Sequence, residues 1–166
     1  EQGPGTYEFT VIVSDGTETD SGTISVTVAE VNQAPVLNSI GDQSVNEGEQ
    51  LSFTVTATDA DLPANPLTFS LDGAPAGASI NASSGVFTWT PSEEQGPETH
   101  TFAVIVSDGK AEDSETIAVT VAEVNQAPVL QSIGNKTVII GDTLNFTATA
   151  TDVDRPANTL TYSLID

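Results

Sequence analysis

The stretch EQGPGTYEFTVIVSDG that opens at Glu1 returns as EQGPETHTFAVIVSDG at Glu94. VNQAPVL at Val31 returns at Val124, and TATDAD at Thr56 returns as TATDVD at Thr149. All of these recurrences share one offset, 93 residues, and no insertion or deletion breaks the register. A period of that length is too long for one solenoid turn and suits a small domain, so the chain reads as an array of like domains joined end to end. Arrays of near-identical domains typically span distance or bind multivalently rather than catalyse.

The repeat also says how the chain is cut. Residues 1–33 form the C-terminal part of one repeat, 34–126 a complete repeat, and 127–166 the N-terminal part of the next. Beginning and ending within a repeat and lacking methionine, the chain is expected to be an excerpt of a longer protein. The counterparts of the 20 residues Ala74 to Glu93 fall between its two ends.

Against 24 Asp and Glu stand three cations, Lys110, Lys136 and Arg155, for a formal charge of −21. Nucleic acid is excluded as a partner, because phosphate binding needs clustered Lys and Arg. An anionic membrane surface would repel the chain for the same reason. So many carboxylates must be spread through solvent, screened by salt or neutralised by bound cations. With no cysteine there are no disulfides, and no apolar run approaches the roughly 20 residues of a membrane span. Abundant Thr, Ser, Val, Asp and Gly with almost no Lys suits a secreted, prokaryotic surface protein.

Nearly every segment alternates apolar and polar residues, the pattern of a half-buried strand. Leu51, Phe53, Val55 and Ala57 alternate with Ser or Thr; Phe102, Val104 and Val106 share a face, as do Ile117, Val119 and Val121. Leu67, Phe69 and Leu71 mark a shorter strand, and Phe87 with Trp89 another. Gly, Pro, Asx and Ser clusters at 61–66, 72–77, 83–85, 91–97 and 107–109 separate these runs. About seven strands at this spacing predict an all-β fold, a Greek-key β-sandwich in each repeat. Strands of about ten residues, at roughly 3.3 Å each, give a unit about 35–45 Å long. Trp89 is expected in the core, and His100, which aligns with Tyr7, on the strand surface. Between repeats runs Ala-Glu-Val-Asn-Gln-Ala-Pro, at 29–35 and 122–128, with no Gly/Ser spacer, so hinge freedom is limited.

At these residues a family likeness emerges. Glu30-Val-Asn32-Gln-Ala-Pro35 resembles the Asp-x-Asn-Asp-Asn-x-Pro linker of cadherins, shortened by one residue. Ala57-Thr-Asp59-Ala-Asp61, followed by Asn65, is similar to the Asp-x-Asp of that family with its downstream Asn, and Val106-Ser-Asp108-Gly109 resembles its Ala-x-Asp-x-Gly strand end. Gly85-Val-Phe-Thr-Trp-Thr-Pro91 is similar to a signature of the bacterial relatives. The repeat thus resembles a cadherin-like domain in its dystroglycan-type, bacterial putative-immunoglobulin form.

In cadherins these motifs meet between successive domains and bind calcium, and the resemblance implies the same for this chain. At the first joint it implies Glu1, Glu30, Asn32, Asp59, Asp61, Asn65 and Asp108 as ligands. At the second it implies Glu47, Glu93, Glu94, Glu123, Asn125, Asp152, Asp154 and Asn158, while Asp15 would serve a joint further upstream. Carboxylates, amide oxygens and backbone carbonyls are the hard donors that a six-to-eight-coordinate Ca²⁺ takes. Gln33 and Gln126 replace an acidic linker residue, Ser92-Glu93-Glu94 replaces Asp-Arg-Glu, and Ile140 stands where the preceding repeat has Glu47. One or two ions per joint are therefore expected rather than three. The bland alternative is that Asp59 and Asp61 simply open a polar turn, as Asx residues do.

Other chemistry finds little support. A lone His supplies neither a zinc set nor a Ser-His-Asp triad, and nothing aromatic or concave frames the paired Glu93 and Glu94. The chain is accordingly expected not to be an enzyme. The leading expectation is an extracellular or cell-surface structural or adhesion module, a calcium-stiffened spacer in a multi-repeat protein, with neighbouring repeats of the same chain as its partners. The alternatives are a carbohydrate- or protein-binding accessory module of a secreted enzyme, in contact with like domains or cell-surface glycans, and a filament subunit completed by neighbouring chains.

Overall fold

Two long hairpins carry most of the regular hydrogen bonding in the computed structural model, which describes residues 3–165. The first joins β1 (Gly5–Ser14) to β2 (Thr19–Val28). Seven shorter strands follow: β3 (Val36–Leu37), β4 (Gln43–Asn46), β5 (Leu51–Thr54), β6 (Ala57–Thr58), β7 (Thr68–Asp72), β8 (Ser79–Ile80) and β9 (Val86–Trp89). A 3₁₀ turn at Glu93–Gln95 leads to the second hairpin, β10 (Glu98–Ser107) and β11 (Glu112–Ala122). β12 (Val129–Leu130) and β13 (Ala150–Thr151) complete the set. The structure is thus all-β.

Residues 34–122 build the sandwich. One sheet runs β4-β11-β10-β7, the other β5-β9-β8, with β3 and β6 paired at the edge. Alternation places Phe102, Val104 and Val106 of β10 and Ile117, Val119 and Val121 of β11 on one buried face, as the sequence predicts. Phe87 and Trp89 come from the opposite sheet, and Phe87 stacks between Phe53 and Phe102 at centroid distances of 4.7 and 5.7 Å. β4 lies parallel to β11, with Val119 opposite Gln43 and Val121 opposite Val45.

The run Leu51–Ala57 is not one strand. β5 pairs with β9, then Val55 donates to Gly85 O at 2.9 Å and β6 crosses to pair with β3. Gly85 permits the switch: its φ is +68°, and a Cβ there would collide with the Val55 carbonyl. His100 also departs from expectation. It is half-buried, its ring meets Trp89 edge-on at 5.1 Å, and Nε2 lies 2.7 Å from Gln95 O.

The flanking segments repeat the template as far as partners allow. β1 and β2 pair in the register of β10 and β11, Gly5 opposite Val28 as Glu98 is opposite Val121. β12 and β13 correspond to β3 and β6. Among the described residues no sheet covers Phe9, Val11 and Val13, which stay exposed. Likewise 136–139, 144–147 and 161–165, the counterparts of β4, β5 and β7, form no ladder, because short strands need neighbours to be stable.

Candidate metal centre

Acidic side chains collect where one repeat hands over to the next. At the first joint β6 ends at Thr58 and the chain turns, with Asp59 Oδ1 accepting the Asp61 N–H at 2.8 Å. Asp61, 3% exposed, accepts the Gln33 N–H on Oδ1 at 3.0 Å and Asn65 Nδ2 on Oδ2 at 3.3 Å. Asn65 also donates to Asn32 Oδ1 at 3.1 Å, and Asn32 Nδ2 donates to Asp108 Oδ2 at 2.8 Å. Asp108 follows β10, and its Oδ1 accepts the N–H groups of Lys110 and Ala111, both at 2.6 Å. Those two N–H donors, with Asn32, hold its carboxyl below the usual carboxylate range.

Asp59, Asp61 and Asp108 each present an oxygen within 4.8 Å of the others. Asp59 Oδ2 is buried without a partner, as is Oε1 of half-buried Glu30. The other Glu30 oxygen lies 3.7 Å from Lys110 Nζ.

The second joint repeats this half and adds the upstream half. Asp154 N–H donates to Asp152 Oδ1 at 3.0 Å, Gln126 N–H to Asp154 Oδ1 at 2.9 Å, and Asn158 Nδ2 to Asp154 Oδ2 at 3.0 Å and Asn125 Oδ1 at 3.3 Å. Each contact has its counterpart 93 residues earlier. Opposite stand Glu47 after β4, Glu93 in the 3₁₀ turn and Glu123 after β11, with one oxygen of each within 4.8 Å of the others. Glu47 is 6% exposed; Oε1 accepts the Val124 N–H at 3.1 Å and Oε2 has no partner. Both oxygens of Glu123 are buried and unpartnered. Burial first, then the charges of Glu47, Glu93, Asp154 and Asp152, push its carboxyl above the usual range. The two halves face a common region, since the Arg155 N–H donates to Glu93 Oε1 at 2.9 Å.

Not every expected residue joins a cluster. Glu94 is exposed on the surface and meets Arg155 Nη2 at 3.3 Å. Glu1 lies outside the described residues. Asp15 caps its own hairpin turn, accepting the N–H groups of Thr17 and Glu18, both at 2.8 Å, which lower its pKa to about 2. Sequence reasoning missed Gln33 and Gln126, whose backbone N–H groups fix Asp61 and Asp154. It also missed Gly96, where a Cβ would stand 2.7 Å from Glu47 Oε2. The repeated Gln-Gly-Pro at 2–4 and 95–97 was the available signal.

The donors fit a hard divalent cation. Among the described residues, five buried carboxylate oxygens lack any hydrogen-bond partner, on Glu30, Glu47, Asp59 and Glu123, and unpaired buried charge is costly unless a cation answers it. Carboxylates, carboxamide oxygens and the absence of thiol or imidazole donors favour Ca²⁺ over a softer metal.

Chitinase A of Pseudoalteromonas piscicida is 30% identical over 143 residues, 84% of this chain and 17% of that protein. The chain thus spans about a sixth of the curated relative it matches. Among solved structures, human protocadherin-24 EC1-2 is 25% identical, with a TM-score of 0.47 over 74% of this chain and 63% of that one. Titin z1z2, solved in complex with telethonin, is 16% identical, with a TM-score of 0.48 over 72% and 62%. A family model described as "Putative Ig domain" matches residues 34–122, the span that folds as the complete sandwich. With its two-sheet core and more than half its length matched, the chain belongs to the putative Ig domain family.

Proposed function

We propose that this chain is a non-catalytic spacer, a run of sandwich repeats divided at 33/34 and 126/127 and stiffened at each joint by Ca²⁺ outside the cell. The observation that carries this reading is the set of buried, unpartnered carboxylate oxygens at the joints. Asp59, Asp61 and Asp108, with Asn32 and Asn65, would hold an ion at the first joint, with Glu30 beside them. Asp152 and Asp154, with Asn125 and Asn158, supply most of that set again at the second. Glu47, Glu93 and Glu123 would hold another ion there. When bound, the ion supplies positive charge that ties two repeats through shared ligands. One donor group at the first joint and two at the second match one or two ions per joint, with affinity of about 10⁻⁴–10⁻³ M, as in other extracellular modules.

The spacer role is also supported by the surface of the complete repeat. Its aromatics, Phe53, Phe69, Phe87, Trp89 and Phe102, are all buried or half-buried, leaving no stacking platform for sugar rings. No helix among the described residues is long and apolar enough to cross a membrane. Small-angle scattering on the chain tests the reading: the maximum dimension should shrink when EGTA replaces calcium. An identical profile in both conditions refutes a structural ion.

A second reading has one observation in its favour. The relation to a chitinase suits an accessory module of a secreted polysaccharide-degrading enzyme. Retention of the isolated chain on insoluble chitin would favour it, whereas passage through the matrix leaves the spacer.

A further inference from the structure

Two of the chain's three cations reach across joints. Lys110 Nζ lies 3.7 Å from Glu30 Oε2, and Arg155 Nη2 lies 3.3 Å from Glu94 Oε1. Each side chain comes from the downstream repeat and meets an acid of the upstream one. Neither cation belongs to the repeat template. The counterpart of Lys110 93 residues earlier is Thr17, and that of Arg155 is Leu62. The fold therefore tolerates a neutral residue at both positions, yet each joint carries one cation, at a different place.

The local geometry ties both residues to the acidic clusters. The Lys110 N–H donates to Asp108 Oδ1, so its charge sits two residues from a member of the first cluster, and its ammonium occupies one oxygen of Glu30 while the other stays buried and unpartnered. The Arg155 N–H donates to Glu93 Oε1 at 2.9 Å, and Gln126 Nε2 donates to Glu93 Oε2 at 3.2 Å. Arg155 thus touches Glu93 through its backbone and Glu94 through its guanidinium, at the rim of the second cluster.

We propose that Lys110 and Arg155 are resident counter-cations that set the divalent-ion affinity of their joints. This rests on the calcium reading of the clusters. Without metal, each cation relieves part of the repulsion among the carboxylates. When metal binds, the same charge opposes it, because a divalent ion and a fixed cation repel one another over a few ångströms. Both side chains are well exposed, 58% for Lys110 and 61% for Arg155, so solvent and salt moderate the effect.

The test exchanges each cation for the residue that the repeat itself uses elsewhere. Lys110→Thr, Arg155→Leu and the charge-preserving Lys110→Arg are made in the full chain. Calcium affinity is measured by calorimetry at low and high salt, alongside metal-free melting. The two neutral variants should bind calcium about three- to tenfold more tightly at low salt, with the gain fading near 0.5 M salt, as screened charge requires. Their metal-free melting temperatures should fall, and Lys110→Arg should keep wild-type affinity. Unchanged or weaker affinity in both neutral variants overturns the inference while leaving the calcium sites standing. If the wild-type chain binds no calcium, the reading of the clusters falls, and this inference with it.

Discussion

Replacing Asp59 and Asp61 by Asn separates a metal site from a polar turn. The turn itself needs one acceptor from each residue: Asp59 Oδ1 takes the Asp61 N–H at 2.8 Å, and Asp61 Oδ1 takes the Gln33 N–H at 3.0 Å. An Asn side chain offers the same Oδ1, so both contacts survive and the Asx turn is retained. What the double substitution removes is charge, one buried, unpartnered oxygen, Asp59 Oδ2, and the Asp61 Oδ2 that accepts Asn65 Nδ2 at 3.3 Å. It also relieves like-charge repulsion against Asp108, whose carboxylate lies within 4.8 Å of both. The lost hydrogen bond and the relieved repulsion oppose one another, so metal-free stability should stay within about 1 kcal/mol of wild type.

The calcium response should behave in the opposite way. An ion binding only the folded state with a Kd of about 10⁻⁴–10⁻³ M, supplied at about 10 mM, adds about 1.4–2.7 kcal/mol. For a domain of this size that raises the melting temperature by about 6–20 °C. Scanning calorimetry with calcium and with EGTA measures both terms on one sample. The double variant should lose the part of the increment that the first joint supplies while losing no more than about 1 kcal/mol in EGTA. A full calcium increment in the variant would place the ions elsewhere. A metal-free loss above about 1 kcal/mol would make the two aspartates structural, and either result refutes the reasoning.

Two further outcomes follow from neighbouring contacts. Gly96→Ala should cost about 1–3 kcal/mol and weaken calcium binding at the second joint, since its Cβ would sit 2.7 Å from Glu47 Oε2 and 3.0 Å from Val121 Cγ1; chemical denaturation and calcium titration check the two effects. Glu115 accepts the Ile40 and Gly41 N–H groups at 2.8 and 3.1 Å, which hold its carboxyl below the ordinary 4.5. Its stabilising contribution is therefore present above that value and lost as pH falls through the lower folded-state pKa. Glu115→Gln should melt with a flatter acid limb than wild type in a pH series.

Legibility from sequence divides along the range of the contacts. On β10 and β11 the larger side chains at every second position, Phe102, Val104 and Val106 with Ile117, Val119 and Val121, form the buried set, although Ala103, Ile105 and Ala118 between them are apolar too. The parallel pairing of β4 with β11 leaves no such trace. It is held by acids about 75 residues away in sequence: Asp113 accepts the Leu37 N–H, Glu115 those of Ile40 and Gly41, and Asp42 that of Ala118. The break after Thr54 is equally silent, because Val55 continues the alternation while its hydrogen bond goes to Gly85. At the joints, Asp59, Asp61 and Asn65 are readable from local spacing, since one turn brings them together. Glu47, Glu93 and Glu123 come from three separate elements, and only the family resemblance singled them out. Lys110 and Arg155 stand out in the sequence as two of three cations, but their reach across the joints leaves no mark, because neither recurs at the repeat's offset.

The acidic surplus of this chain falls into two physical kinds, and the difference bears directly on the metal reading. Asp15, Asp113 and Glu115 direct their oxygens at backbone N–H groups, so hydrogen bonding within the fold satisfies them. Hydrogen bonds to the ionised form lower the pKa of Asp15 and Glu115. Such carboxylates ask nothing of the solvent. Glu123 is of the other kind, with two buried oxygens and no donor, its pKa raised by burial first and then by four acidic neighbours. A polar turn or a solvated surface would not produce it, because a free Glu side chain would swing out to water rather than hold both oxygens against like charges. Glu47 and Asp59 each hold one buried oxygen without a donor, at these joints and in clusters of three acids. Burial of like charge costs stability in the metal-free chain, and only a cation placed among them reverses the sign of that term. Without an ion the joints would thus carry uncompensated buried charge, which is the condition that the proposed calcium-stiffened spacer requires.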